Sequence, residues 1–198
     1  MIDRHLVAGA LACAMTAAVM AAQGQRGTST AVATNNQTFI NEMAVAGKAE
    51  VELGNLAAQR AQNSDVKAFG QMMVKDHTQA NTELTQIAKQ MNVTPPAQLD
   101  MKHRELVDRL SKLKGAEFDR EYMNAMVMGH EEVSAKLRTM SGDTATATST
   151  STSSTTTKGA QSVGTSGSDA ALKQWAGKTL PTVQQHLERA KEIQQKVK

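Results

Sequence analysis

The chain has 198 residues, with 22 Lys and Arg against 19 Asp and Glu for a formal charge of +3, and only three Phe, one Tyr and one Trp. The basic residues are scattered and stacking residues are few, which disfavours a nucleic-acid groove; once a leader and a low-complexity tract are set aside, the length suits one domain of about 150 residues. The single cysteine, Cys13, falls in the leader, so the remainder has no internal disulfide and no thiolate to offer a metal.

In residues 1–22, Arg4 and His5 precede an Ala-rich apolar run from Leu6 to Ala22, and the polar Gln23-Gly24-Gln25-Arg26 follows. The run is short for a bilayer span and has the layout of a secretory signal peptide, cut near Ala22. An uncleaved N-terminal anchor is the alternative. Residues 23–36 are small and polar and read as a flexible lead-in.

Helix A is expected from about Gln37 to Gln62, with Met43, Gly47, Glu50, Gly54, Ala57 and Ala61 in one stripe whose small residues imply close helix contact. Asn63-Ser64-Asp65 forms a turn, with Ser64 or Asp65 as N-cap of the next helix. Helix B, Val66 to Met91, places Val66, Gly70, Met73, His77, Ala80, Leu84, Ile87 and Met91 at alternating spacings of 4 and 3. That is the inward face of a packed helix, so His77 points inward. Glu50 lies 13 residues before Asn63 and His77 lies 14 after it, so an antiparallel hairpin sets the two at nearly the same height.

Thr94-Pro95-Pro96 stops helix B. Ala97 to Leu113 reads as a shorter charged helix, long enough to traverse most of a bundle and so a crossover, with His103 in its solvated part. Helix C, Ala116 to about Met140, carries Phe118, Tyr122, Met126, His130, Val133 and Leu137 on its apolar side. Residues 141–168 are nearly all Ser, Thr, Gly and Ala and read as a disordered insertion. Helix D, Asp169 to Lys196, bears Leu172, Ala176, Thr179, Val183, His186, Ala190 and Ile193, with a kink expected at Pro181. The fold class is all-α, with residues 37–140 and 169–196 forming one helical domain.

Each of the four long stripes is interrupted by one ionisable residue: Glu50, His77, His130 and His186. A buried carboxylate must find a partner, become neutral or meet a cation. Facing three imidazoles, Glu50 has two solutions, a closed hydrogen-bond network or a metal site. A set of three His and one carboxylate suits a divalent ion such as Zn, Cu, Fe or Ni, and spacing does not choose among them. Asp76 is a candidate to orient a ligand from behind, although its place next to His77 points it about 100° away. Met72, Met73, Met123, Met126 and Met128 gather near two of the histidines, either as core filling or as soft ligands for Cu(I). A ferritin-type di-iron site needs Glu three residues before a His, and Val74, Val127 and Val183 stand in those places. No nucleophile triad or phosphate loop is present, so no catalytic residue is assigned.

Ala49-Glu50-Val51-Glu52-Leu53-Gly54, Val66-Lys67-Ala68-Phe69-Gly70 and Met73-Val74-Lys75-Asp76-His77 resemble the bacterial envelope proteins of the domain of unknown function 4142 family, often labelled outer membrane proteins. The resemblance continues through Phe118-Asp119-Arg120, Tyr122, Met126-Val127, His130, Leu180-Pro181 and His186-Leu187. It implies a ferritin-like four-helix bundle with the short crossover helix between its second and third helices, and an exported, periplasmic or outer-membrane associated location. It supplies no established activity. Glu50, His77, His130 and His186 fall on motif positions, whereas Gly129 stands where the family usually has an acidic residue. Two functions are expected from this pattern. One is a divalent metal held in the Glu/His layer for storage, sensing or buffering. The other is a structural or interaction module of the envelope, in which the same layer is a hydrogen-bond network. A metalloenzyme would further need an open coordination position and a substrate cleft.

Overall fold

The computed structural model describes residues 23–143 and 167–198, with side chains from residue 32 onward. The leader and most of the Ser/Thr tract lie outside the described residues. The regular elements among the described residues are all helices: α1 (Gln23–Arg60), α2 (Ser64–Gln90), α3 (Met101–Ser111), α4 (Gly115–Ser141) and α5 (Gly167–Lys196). Residues 23–35 belong to one compact unit and Asn36–Lys198 to a second, which carries the packing and the site.

The expected lead-in at 23–36 is helical instead, because α1 begins at Gln23. That stretch has no proline, and extending an existing helix adds one hydrogen bond per residue fixed without a new nucleus. The α2 cap also differs from expectation. Asn63, ahead of the two expected residues, is the N-cap, its side-chain oxygen accepting from the backbone N–H groups of Asp65 at 2.8 Å and Val66 at 3.4 Å. α5 runs on through Pro181 as helix.

Two apolar clusters fix the chain path. At one end Phe39, Ile40 and Met43 of α1 pack with Leu84 and Ala88 of α2, Leu137 of α4, and Leu172 and Trp175 of α5. At the other, Leu53, Ala57 and Ala61 pack with Val66, Phe69 and Met73, with Tyr122 and Met126, and with Ala190 and Ile193. Helices α1 and α5 therefore run from the first cluster to the second, while α2 and α4 run back. The connection from α2 to α4 must travel the length of the hairpin, and α3 lies within it. Leu99 and Val107 rest on Val45 and Ala49 of α1, and Lys102 pairs with Glu132 of α4 at 2.7 Å.

The α1–α2 crossing is close because two glycines meet there. A Cβ on Gly54 would stand 2.6 Å from the Gly70 carbonyl oxygen, and one on Gly70 would stand 2.7 Å from the Ala57 Cβ. The turn beyond is held by buried Asp119 of α4, whose carboxylate accepts from the backbone N–H groups of Gln62 at 3.1 Å and Asn63 at 2.7 Å.

Overpacking of this kind costs about 1–3 kcal/mol and outweighs the gain of up to ~1 kcal/mol in helix propensity from replacing glycine. Gly54→Ala is therefore expected to lower the free energy of urea unfolding. Gly129→Ala, whose Cβ would meet Glu50 Oε1 at an ordinary 3.4 Å, should leave it nearly unchanged or raise it. Asp119→Ala should cost about 2–4 kcal/mol in the same assay, since two backbone N–H groups lose a charged acceptor.

Candidate metal centre

Along every long helix of the bundle the ionisable residue sits between the two apolar clusters: Glu50 between Met43 and Leu53, His77 between Met73 and Leu84, His130 between Val127 and Leu137, His186 between Val183 and Ala190. All four are buried. The three imidazoles form a near-equilateral triangle, with ring centroids 5.7 Å apart for His77–His130 and 5.5 Å for both His77–His186 and His130–His186. Phe69 closes one side, its ring 6.3 Å from His130 and 6.5 Å from His186.

One nitrogen from each ring falls within 4.8 Å of the other two. The centre of an equilateral triangle of that edge is about 2.8 Å from each corner, so a shift of under 1 Å per ring reaches the usual Zn–N length of roughly 2.0–2.1 Å.

Hydrogen bonds on the far sides of two rings decide which nitrogens carry lone pairs. His130 Nδ1 lies 2.8 Å from the Met126 carbonyl oxygen, which can only accept, so Nδ1 carries the proton and Nε2 is bare. His186 Nε2 lies 3.0 Å from Asp76 Oδ2; an ionised carboxylate accepts there too, which leaves Nδ1 bare. These bare nitrogens, together with His77 Nε2, are buried and have no protein partner. Asp76 thus works as an orienting carboxylate, but on His186 across the α2–α5 interface and not on its chain neighbour His77. The 100° offset that turns Asp76 from His77 is what aims it at α5.

Burial holds the His77 imidazole down at about 3, with the charges of His130 and His186 acting in the same direction. Burial also lowers His186, against a partial opposing pull from Asp76. Burial pushes the Glu50 carboxyl up, more than the nearby His130 and His103 bring it down. Tyr122 is raised well above the usual phenol range, by burial first and by the Glu50 charge second.

Glu50 shares the layer but not the nitrogen triangle. Its Oε1 is 3.9 Å from His130 Nδ1, the nitrogen committed to Met126, and its Oε2 has no protein partner. Of the sequence candidates, His77, His130 and His186 are brought together, with Asp76 behind the third, and Glu50 stands to one side. Met73, Met123 and Met126 fill the apolar cluster and Met72 packs on it, whereas Met128 is exposed. His103, expected to be solvated, is partly covered and bonded through Nδ1 to Asp100 at 2.7 Å. The Met126 carbonyl was not among the sequence candidates, though its position four residues before His130 is a readable signal on any helix. A cleft of about 360 Å³ between α2 and α5 is lined in part by Phe69, Asp76 and His186, so it reaches one edge of the cluster.

Fold and site together define an all-helical bundle with a buried histidine cluster. The chain belongs to the family described as Domain of unknown function (DUF4142), which it matches over residues 21–158 and 146–193. No curated protein matches it. Among solved structures, a crystal structure of a DUF305 fragment from Deinococcus radiodurans is similar, with a TM-score of 0.61 at 12% identity, covering 81% of this chain and 95% of that one. At that identity the likeness concerns the fold alone.

The pKa shifts make the metal-free protein acid-sensitive. His77 is neutral in both folded and unfolded chains above pH ~6.5; between there and about 3 the unfolded chain binds a proton that the folded one refuses, so stability falls as pH falls. By pH 4 the loss from His77 is about 3 kcal/mol; the lowered His186 adds to it, and the raised Glu50, protonated first in the folded state, offsets part. Urea unfolding at pH 7 and pH 4 should show this slope, and His77→Leu should flatten it.

Proposed function

We propose that this chain is an exported, ferritin-like four-helix protein whose three histidines hold one divalent transition metal, for storage, sensing or buffering. A single observation carries the reading: in a cluster where one nitrogen of each ring lies within 4.8 Å of the others, two imidazoles have their N–H groups bonded to Met126 and Asp76 and keep a buried nitrogen without a protein partner. Two acceptors cannot hydrogen-bond each other. Among the three rings only an N–H of His77 is left to donate, so a network closed within the cluster satisfies at most one of them, whereas a cation satisfies all three. This argues against the purely structural reading of the layer.

Three neutral nitrogens suit Zn, Cu, Fe or Ni, and three protein ligands leave a fourth coordination position free. An ion bound there would supply Lewis-acid or redox chemistry. The chain's own part is to orient it: Met126 and Asp76 fix the tautomers of His130 and His186, and Phe69 keeps one side dry. Export rests on the layout of residues 1–22 and on the envelope location that the sequence resemblance implies. No helix among the described residues is long and apolar enough to cross a membrane.

Plasma mass spectrometry of protein purified without chelator or affinity tag should find about one transition-metal ion per chain. His77→Leu and His186→Leu should lose it, and Asp76→Asn should weaken it about 10–100-fold. Added metal should stabilise the wild type by about 2.7 kcal/mol at 100 times Kd and leave His77→Leu unmoved. In the metal-free state His77→Leu should be as stable as wild type or more so, because it removes an unsatisfied buried nitrogen. A metal-free His77→Leu protein less stable by 2 kcal/mol, with no metal effect on either chain, would return the layer to a structural role.

A further inference from the structure

A second cleft, of about 610 Å³, lies on the opposite side of Glu50, between α1, α4 and the crossover helix α3. Small residues make it deep: Ala46 and Ala49 on α1, Ala125 and Gly129 on α4. Glu50 lines it. The Glu50 side chain is only 10% exposed, and its Oε2 has no protein partner. Gly129 keeps the way open, since a Cβ there would stand 3.4 Å from Glu50 Oε1.

Nearby charged groups are already engaged. Lys102 is bonded to Glu132 at 2.7 Å, Lys136 to Glu42 at 2.8 Å and to Glu132 at 3.1 Å, and His103 to Asp100 at 2.7 Å. Arg109 and Glu105 are exposed residues of the lining. A buried carboxylate facing an open cleft is a receptor for positive charge. Divalent metals demand several ligands, and Glu50 is the one buried carboxylate this lining offers. Apolar walls formed in part by Met43 and Leu106 suit a hydrocarbon body.

We propose that the cleft over Glu50 binds a small organic cation of the alkylammonium or amidinium class, its charged head on the Glu50 carboxylate and its apolar body along Met43 and Leu106. The site is separate from the histidine cluster and stands whether or not that cluster holds a metal.

The test is calorimetric titration of the intact chain with hexylammonium, with hexanol and hexanoate as neutral and anionic counterparts, and amide NMR to place the bound probe. Hexylammonium should bind with shifts along α1, α3 and α4, about tenfold or more tighter than hexanol, and hexanoate should not bind. Glu50→Gln should bring hexylammonium down to the hexanol level. Gly129→Leu, a change that fills the cleft, should abolish binding while the metal content stays as in wild type. In His77→Leu protein, where the histidine site is broken, hexylammonium should still bind. Equal affinity for hexanol would make the cleft a merely apolar pocket and overturn the proposal. So would binding that survives both Glu50→Gln and Gly129→Leu, shifts confined to the α2–α5 face, or displacement of hexylammonium by Zn²⁺ in the His77→Leu protein. If Glu50→Gln does not fold, the hexanol comparison and Gly129→Leu decide the matter.

Discussion

Two hydrogen bonds that point away from the centre decide what the centre can do. The Met126 carbonyl takes the proton-bearing nitrogen of His130, and Asp76 takes that of His186. Each bond is ordinary, and each leaves the ring's other nitrogen buried with no protein partner. An unsatisfied buried acceptor costs about 1–3 kcal/mol, so the arrangement is expensive unless a cation occupies it. The low basicity of His77 belongs to the same economy: a proton in this dry triangle meets no counter-charge from its neighbours.

The rest of the structure holds these rings to one height. Apolar clusters above and below the layer are built from all four long helices, so none can slide without pulling its histidine or glutamate into hydrocarbon. The close contact of Gly54 with Gly70 locks the α1–α2 hairpin, and Asp119 ties its turn to α4. Because α4 starts beside that turn and α5 returns along it, His130 and His186 reach the layer from opposite chain directions. Ion pairs between helices, such as Glu83–Lys178 at 2.9 Å and Glu131–Lys191 at 3.1 Å, are partly or largely exposed and add little by comparison.

Most of this was legible in the chain. The alternation of 4 and 3 places His77 inside, and nearly equal counts from Asn63 put Glu50 and His77 at nearly one height, because both depend only on helical period and rise. What the period does not carry is which neighbour an inward or flanking group meets. Asp76 was recognised as a carboxylate beside the layer, yet its partner is a ring on α5, 110 residues away in sequence. Glu50 was placed correctly in height but not in company, since a stripe defines a face of roughly 100° and the nitrogen triangle occupies only part of it. The start of α1 was missed for a different reason. Small polar residues without proline are weak helix formers alone, and they follow a helix already nucleated behind them.

The two acidic residues near the layer show why burial and function have to be argued separately. Asp76 keeps 28% of its side chain in solvent and spends its contact on His186, so its charge is both hydrated and used. Glu50 is nearly sealed and has neither advantage. His130 gives it no hydrogen bond, since the nitrogen nearest Glu50 is committed to Met126, and Glu50 is not one of the three residues whose ligand atoms converge. A metal held by the three histidines would leave Glu50 without a hydrogen-bond partner. Glu50 lines the α1–α3–α4 cleft, and a counter-charge from solvent reaches its carboxylate from that side.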